Sequence, residues 1–193
     1  MDIQNIALEI FRETGVLSEG HFRLTSGRHS SQYMQCGRVF ERADKAELLC
    51  KALAGLFADK KIDAVAGPAL GAMLMAYEVS RHLGCKNMFS EREDGDMIFR
   101  RGFVAEPGMR ILVVEDTVTT GGTVHELIEL CRKGGAEVAG VGSLVDRSGG
   151  RADFKVPFRS VVSVNIESWE EKNCPLCAQG VPCIKPGSRQ VTT

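Results

Sequence analysis

One stretch of the chain constrains its fold more than any other. Four apolar residues, 111–114, run directly into Glu115 and Asp116, and a loop rich in threonine and glycine follows at 117–123. This pattern is typical of a buried strand that gives way to a helix. In open α/β sheets ligands bind at the carboxyl ends of the strands. The stretch therefore predicts a ligand site at its junction.

The residue types in this junction suit a sugar phosphate. Gly121 and Gly122 let the backbone approach an anion closely. The unpaired amides at the start of the following helix form an anion site together with the helix dipole. Hydroxyl donors come from Thr117, Thr119, Thr120 and Thr123. Glu115 and Asp116 would repel a phosphate, so they are better suited to accept hydrogen bonds from the diol of a sugar beside it.

Hydrophobic periodicity places further elements on either side of this junction. Helices are predicted at 3–14, 43–57, 69–83 and 123–135, and strands at 62–68, 86–91, 110–116, 137–147 and 159–165. Asp94-Gly95 between two mixed runs indicates a hairpin, because a type I′ turn needs positive φ at both central residues. This order predicts one α/β domain over 1–193, with a mainly parallel sheet flanked by helices. Residues 1–40 and about 160–193 contribute a small hood and a tail.

Composition excludes several classes of protein. The net charge of −1 gives no broad attraction to nucleic acid or to an anionic membrane. No apolar run reaches the ~20 residues that cross a bilayer, and the N-terminus lacks a basic start followed by an apolar run. Seven cysteines are an odd number for a disulfide framework, so we expect a cytoplasmic protein.

Residues 113–123 resemble the phosphoribosyl pyrophosphate (PRPP) signature of type I phosphoribosyltransferases. Neither the dinucleotide pattern GxGxxG nor a Walker loop ending in GKS or GKT is present in this stretch. The resemblance implies the fold of that family. It also implies that residues 115–123, including Val118, bind PRPP.

Three further segments resemble the orotate phosphoribosyltransferases of this family. Residues 24–30 match a loop that covers the base, which implies orotate contacts from Ser26, Gly27 and Arg28. Residues 67–72 match the pyrophosphate loop and imply PRPP contacts from Pro68, Ala69, Leu70 and Gly71. Arg147, within 145–150, matches the arginine that pairs with the orotate carboxylate, and a guanidinium fork suits a carboxylate.

The resemblance also implies a mechanism. In that mechanism PRPP carries the Mg²⁺, and the protein alone does not bind it. Glu115, Asp116 and Arg92 are the catalytic residues. Thr119 acts with Arg147 to bind orotate. A homodimer with shared active sites is implied as well. The sequence departs from the better-studied branch at Gly71, where that branch has lysine, and in the Asp94-Gly95 hairpin, which has neither lysine nor histidine. Arg100 and Arg101 are candidates to replace that charge.

Two rival functions remain open at this stage. One is a phosphoribosyltransferase for a purine or another base, because the PRPP signature would be the same. The other is a regulator that binds a phosphoribosyl ligand and controls nucleic acid, which the balanced charge and the short N-terminal segment disfavour.

The cysteine-rich tail leaves a metal site open. Cys174, Cys177 and Cys183 could ligate zinc, yet structural zinc takes four ligands, and no histidine follows Gly135. His21, His29, His82 and His125 show no metal-ligand spacing. The sequence therefore favours a tail without metal. The ending, from Cys174 through Arg189, also resembles the tails of one bacterial and archaeal branch of this family.

Overall fold

Two separate β-sheets account for the strands in residues 2–24 and 26–186, the part of the chain that the computed structural model describes. The small sheet pairs β1 (Leu17–Arg23) with β2 (His29–Met34) in antiparallel orientation. The large sheet contains β3 (Ala64–Pro68), β4 (Lys86–Glu93), β5 (Asp96–Phe99), β6 (Arg110–Val118), β7 (Glu137–Asp146) and β8 (Phe158–Ser163).

Five α-helices connect or flank these strands. They are α1 (Ile3–Glu13), α2 (Ala43–Gly55), α3 (Met73–Leu83), α4 (Gly122–Lys133) and the short α5 (Pro175–Ala178). Two 3₁₀ helices, which the sequence did not predict, span Cys36–Glu41 and Glu171–Asn173. Within the described ranges, no helix combines the length and the apolar character needed to cross a bilayer.

The large sheet has the strand order β5-β4-β3-β6-β7-β8, and only β5 runs antiparallel to its neighbour. Side chains of β6 alternate between two apolar clusters. Leu112 and Val114 pack in a cluster with residues of α1, α2 and α3, whereas Ile111 and Val113 pack in a second cluster with residues of α4. Helices therefore cover both faces, and the predicted α/β fold with a mainly parallel sheet is confirmed.

The hairpin predicted at Asp94-Gly95 is present. Glu93 pairs with Asp96 across the turn, and Asp94 and Gly95 have φ values of 51° and 94°. Both central residues thus have the positive φ that a type I′ turn requires.

One helix boundary differs from the sequence prediction by about one helical turn. Helix α3 begins at Met73 rather than at residue 69, because residues 69–72 form a turn at the end of β3. Apolar spacing alone cannot distinguish such a turn from the first turn of a helix, since both are rich in small apolar residues.

The hood and the tail are joined by backbone hydrogen bonds. His29 and Trp169 exchange two bonds of 2.8 Å, and the Ile184 amide donates to the His21 carbonyl oxygen at 2.8 Å. The tail thus extends the β1–β2 sheet from the far end of the chain. The part of the tail resemblance beyond Pro186 lies outside the described residues.

Small residues on β7 allow α2 to pack closely against the sheet. A Cβ added at Gly140 would lie 2.8 Å from Cε1 of the buried Phe57 and 3.1 Å from the carbonyl oxygen of Pro157.

We therefore predict that Gly140→Ala lowers the free energy of unfolding by about 1–3 kcal/mol, the usual cost of overpacking a core. Urea unfolding followed by circular dichroism measures this change.

The matched control is Gly55→Ala, in α2. A Cβ there meets nothing within 4 Å, so the substitution should raise stability by about 0.5–1 kcal/mol through helix propensity. Equal midpoints for Gly140→Ala and the unaltered chain would contradict this account of the packing.

Candidate active site

The loop between β6 and α4 forms a small concavity at the carboxyl edge of the sheet. Its volume is about 250 Å³, and its lining comprises Glu115, residues 117–124 and Glu126. Gly121 precedes α4 in the left-handed conformation with φ 79°. A Cβ there would lie 2.7 Å from the ring of Phe154. Glycine is therefore required at this position, and the amides of the first turn of α4 border an open space.

Two adjacent carboxyl groups lie at the end of β6, where both are largely shielded from solvent. The Asp116 amide donates a 3.2 Å hydrogen bond to Oε1 of Glu115. Burial, reinforced by the charge of Asp116, raises the pKa of Glu115 to about 7. Burial also raises the pKa of Asp116. Both groups thus lie where a ligand that donates hydrogen bonds or carries positive charge would stabilise their ionised forms.

The turn that follows β3 lies beside these carboxyl groups. Strands β3 and β6 are parallel neighbours, with Ala66 opposite Val113. A Cβ built on Gly71 would lie 3.6 Å from Oδ2 of Asp116. The peptide bond between Ala69 and Leu70 is cis. The predicted pyrophosphate loop and the predicted ribose-binding acids are therefore adjacent.

Arg147 reaches the same edge from the neighbouring strand. Its amide donates a 2.8 Å bond to the Val118 carbonyl oxygen. Its Nε is buried and has no hydrogen-bond partner among the described residues. Burial lowers the pKa of Arg147, and nearby Cys36 and Tyr33 oppose that shift. A half-buried guanidinium whose Nε has no partner among the described residues is a candidate anion ligand.

Sequence reasoning missed the floor of this site. Cys36 begins the 3₁₀ helix after β2 and interacts with Asp116, with the side chain of Thr117 and with Arg147. Burial, together with the charge of Asp116, raises the pKa of its thiol to about 12. A single cysteine between Gln35 and Gly37 gives no signal of this role, because the fold alone brings the 3₁₀ helix beside the end of β6.

The hood residues have a different setting. Ser26, Gly27 and Arg28 lie exposed at the turn between β1 and β2, where Gly27 has φ 80°. The Arg28 guanidinium donates to the hydroxyl of Ser168 at 2.9 Å and also to the Ser168 carbonyl oxygen. The tail therefore holds this arginine in the isolated chain.

Arginines of the β4–β5 hairpin are all paired with acids. Arg92 donates to Glu126 at 2.6 Å and to the Gly95 carbonyl oxygen at 2.7 Å. Further pairs join Arg100 to Glu93 at 3.2 Å and Arg101 to Glu91 at 2.8 Å. Since Glu126 lines the concavity of the β6–α4 loop, Arg92 is anchored at its rim.

A larger concavity of about 700 Å³ lies at the opposite edge, lined by residues 62–63, 84–86 and 106–109. This edge contains the amino ends of β3, β4 and β6. The carboxyl edge is the better candidate, because ligands of parallel sheets bind there and because it holds the two acids with raised pKa values and the Nε of Arg147 that has no partner among the described residues.

Comparison with known proteins gives a consistent result. Residues 41–179 match the model of the phosphoribosyl transferase domain family. Curated relatives called orotate phosphoribosyltransferase include one from Thermoanaerobacter sp. (strain X514), 51% identical over 95% of this chain and 96% of the relative. Another, from Thermotoga maritima, is 49% identical over 94% of this chain and 97% of the relative.

A solved structure, orotate phosphoribosyltransferase from Mycobacterium tuberculosis in complex with inorganic phosphate, has a TM-score of 0.69 and 27% identity over 84% of this chain and 95% of that one. An adenine phosphoribosyltransferase from Thermoanaerobacter pseudethanolicus, at 17% identity and a TM-score of 0.60, shares the fold alone. With a matching domain model over most of its length and relatives near half identity, the chain belongs to the orotate phosphoribosyltransferases of the phosphoribosyltransferase family.

Proposed function

We propose that the protein transfers the phosphoribosyl group from PRPP to orotate, giving orotidine 5′-phosphate and pyrophosphate, in the synthesis of pyrimidine nucleotides. The observation that carries the choice of base is the buried Nε of Arg147, which has no partner within the described residues and adjoins the end of β6. Orotate, unlike adenine, hypoxanthine or uracil, has a carboxylate that a guanidinium fork binds with two hydrogen bonds.

In this proposal PRPP binds across three neighbouring segments. Its 5-phosphate accepts hydrogen bonds from the amides and hydroxyls of residues 117–123. Its ribose hydroxyls donate to Glu115 and Asp116, whose raised pKa values indicate a need for such donors. Its pyrophosphate lies along residues 68–71, which the adjacency of Gly71 and Asp116 supports.

The site also suits Mg²⁺ bound to PRPP. Magnesium prefers oxygen ligands and usually binds through one or two carboxylates together with substrate phosphates. Glu115 and Asp116 supply carboxylate oxygens beside the proposed pyrophosphate loop, directly or through water. When bound, Mg²⁺ would neutralise charge on the departing pyrophosphate.

The reaction then depends on positioning and electrostatics. Arg147 and Thr119 hold orotate so that its ring nitrogen forms a bond to the anomeric carbon while the bond to pyrophosphate breaks. The proton of that nitrogen is released, to the departing pyrophosphate or to water. The ionised Glu115 and Asp116 stabilise positive charge that develops on the ribose. The hood turn at residues 26–28 covers the base.

The β4–β5 hairpin would close over PRPP and exclude water, which competes as a nucleophile. Arg92 must exchange its ion pair with Glu126 for a contact with pyrophosphate to act in this way. The Arg92 pair is exposed, and such pairs contribute only about 0–1 kcal/mol, so the exchange costs little.

We also propose a homodimer. Leu70, Leu74 and Tyr77 are 79%, 53% and 59% exposed. Leu74 and Tyr77, three residues apart, lie on one side of α3, and Leu70 lies in the turn before that helix. A second copy of the chain that covers this face would bring its own site close to the pyrophosphate loop.

All seven cysteines are free, which suits the reducing cytoplasm in which we place the enzyme.

A direct assay tests the assigned reaction. The protein is mixed with Mg²⁺, PRPP and orotate, and the loss of orotate absorbance is followed. Adenine, hypoxanthine and uracil are offered as alternative bases. Turnover of a purine in preference to orotate would reject the assignment, and so would tight, ligand-dependent binding of nucleic acid without turnover.

Replacing Arg147 isolates the base pocket. We predict that Arg147→Ala lowers kcat/KM for orotate by at least about 100-fold, because two charge-assisted hydrogen bonds of ~1.5–3 kcal/mol each are lost, while the affinity for PRPP changes little. The control is Arg151→Ala, an exposed arginine four residues later. Unchanged orotate turnover in the Arg147 variant would refute the pocket assignment.

Replacing Glu115 tests the buried carboxyl group. Its folded-state pKa of about 7 exceeds its ordinary value of 4.5, so folding favours the protonated form. The stability of the unaltered chain relative to Glu115→Gln should therefore be greatest below pH 4.5 and should fall as the pH rises through 7. Denaturant midpoints of both proteins across this range measure the difference.

The same pair of proteins reports on ribose binding. As the pH rises through 7, the affinity of the unaltered chain for PRPP should increase more than that of Glu115→Gln, because an ionised Glu115 accepts hydrogen bonds from the diol. In Glu115→Gln this additional increase should be absent. Parallel pH profiles for the two proteins, in stability and in affinity, would contradict the role of Glu115.

A charge on the exposed face of α3 tests the dimer. Leu74→Asp should convert the protein to a 21.0 kDa monomer in sedimentation experiments. The control is Val104→Asp, a residue that is 60% exposed on a loop, and it should leave the dimer intact. A monomeric unaltered chain would contradict the dimer directly.

A further inference from the structure

A cluster of histidine and cysteine side chains lies between the hood and the tail, apart from the carboxyl edge of the large sheet. It contains His21, His29, Cys174 and Cys177, and the ligand atoms of all four lie within 4.8 Å of one another. Both histidines and Cys174 are 2–3% exposed. Local spacing along the sequence shows no metal-ligand pattern for these histidines. The fold joins them to cysteines that lie about 150 residues away.

The distances suit a single tetrahedral ion. Nitrogen and sulfur ligands held about 2.0–2.3 Å from zinc lie about 3.3–3.8 Å from one another. The Sγ atoms of Cys174 and Cys177 lie 3.4 and 3.7 Å from Nε2 of His21, and the Sγ of Cys177 lies 3.3 Å from Nδ1 of His29. The two histidine nitrogens, at 2.8 Å, share a hydrogen bond in the chain without an ion.

A second contact orients one of the ligands. Nδ1 of His21 lies 2.7 Å from the carbonyl oxygen of Val181, which can only accept, so Nδ1 carries the proton. In the neutral ring Nε2 then presents a lone pair to the two sulfur atoms. A backbone carbonyl that fixes the tautomer in this way is the usual outer partner of a metal-bound histidine.

The backbone holds the four positions independently of any ion. His29 in β2 pairs with Arg23, two residues after His21 in β1. The backbone groups of His21 and His29 bond to Ile184 and Trp169 of the tail. Cys174 precedes the first turn of α5 and Cys177 lies within it, so the two thiols project from one helical turn. These backbone bonds place ligands from two distant segments around one buried point.

We propose that His21, His29, Cys174 and Cys177 bind one structural Zn²⁺ that fastens the tail to the hood. Two imidazoles and two thiolates form a neutral complex with Zn²⁺, and this mixed set favours zinc over the hard cations Mg²⁺ and Ca²⁺. All four positions are filled by protein, as in structural sites. Cys183 is exposed and does not belong to the group of four residues whose ligand atoms all lie within 4.8 Å of one another, so it stands outside the ligand set.

The site has a consequence for the hood turn, which rests on the proposed function. Residues 26–28 lie between the two histidine ligands, and Arg28 is held by Ser168 of the tail. Zinc would therefore fix both ends of the turn that covers the base. Zinc binding does not depend on catalysis. The measured zinc content therefore tests the metal site, and the orotate assay tests the proposed function, independently of each other.

Metal analysis of the full chain tests the proposal. The protein is purified without chelators, and its metal is measured by elemental mass spectrometry. We expect one zinc per chain. The Cys174→Ser/Cys177→Ser double variant should lose it, whereas Cys183→Ser and Cys85→Ser, which remove cysteines outside the set, should retain it. A preparation that holds no stoichiometric zinc, even after incubation with Zn²⁺, overturns the site, as does one that holds iron or copper.

Two measurements on the unaltered chain keep the test independent of variant folding. Replacement by Co²⁺ should give the visible absorption of a tetrahedral ion with thiolate ligands, and chelation should lower the Tm, because binding free energy at such a site is folding free energy. A Co²⁺ spectrum without thiolate bands would overturn the ligand set. So would a mass that shows a disulfide between Cys174 and Cys177.

Discussion

Strand β6 is hydrogen-bonded on both sides, to β3 and to β7, and apolar side chains cover both of its faces. Its carboxyl end cannot shift without breaking one of these pairings. Glu115 and Asp116 therefore stay in a partly dehydrated position that raises their pKa values. The rest of the site is placed relative to this strand end: the turn after β3 on one side and Arg147, bonded to Val118, on the other.

The site concentrates charge that the protein itself does not compensate. Two carboxyl groups resist ionisation, and the half-buried guanidinium of Arg147 retains a donor, Nε, without a partner among the described residues. Such groups cost stability in the free chain, and the cost is recovered when the hydroxyl groups of a ligand donate to the carboxylates and its anionic group accepts from the guanidinium. Preorganisation of this kind spares the reorganisation of dipoles during reaction. The site is thus matched to a ligand that is both anionic and rich in hydroxyl groups.

Local patterns in the sequence were sufficient for the large sheet and for the centre of the candidate site. The apolar run before Glu115, the glycines after it and the Asp94-Gly95 turn each depend on neighbouring residues alone. The start of α3 was misplaced because a turn rich in small apolar residues has the same spacing as a helix. The contacts of Cys36 with Asp116 and Arg147 were not predictable, since no periodicity relates a 3₁₀ turn near the N-terminus to strands that follow much later. The grouping of His21 with Cys174 escaped prediction for the same reason.

The bond between the hood and the tail imposes an order on the making of the protein. Strand β8, the last of the large sheet, ends at Ser163, whereas the hood needs the backbone of Ile184. At a synthesis rate of about 5–20 residues per second, the ribosome adds these 21 residues in roughly one to four seconds. During that interval β1 and β2 have been synthesised but lack their C-terminal partner. Each new chain thus completes the strands of its large sheet before it completes the backbone that its hood requires.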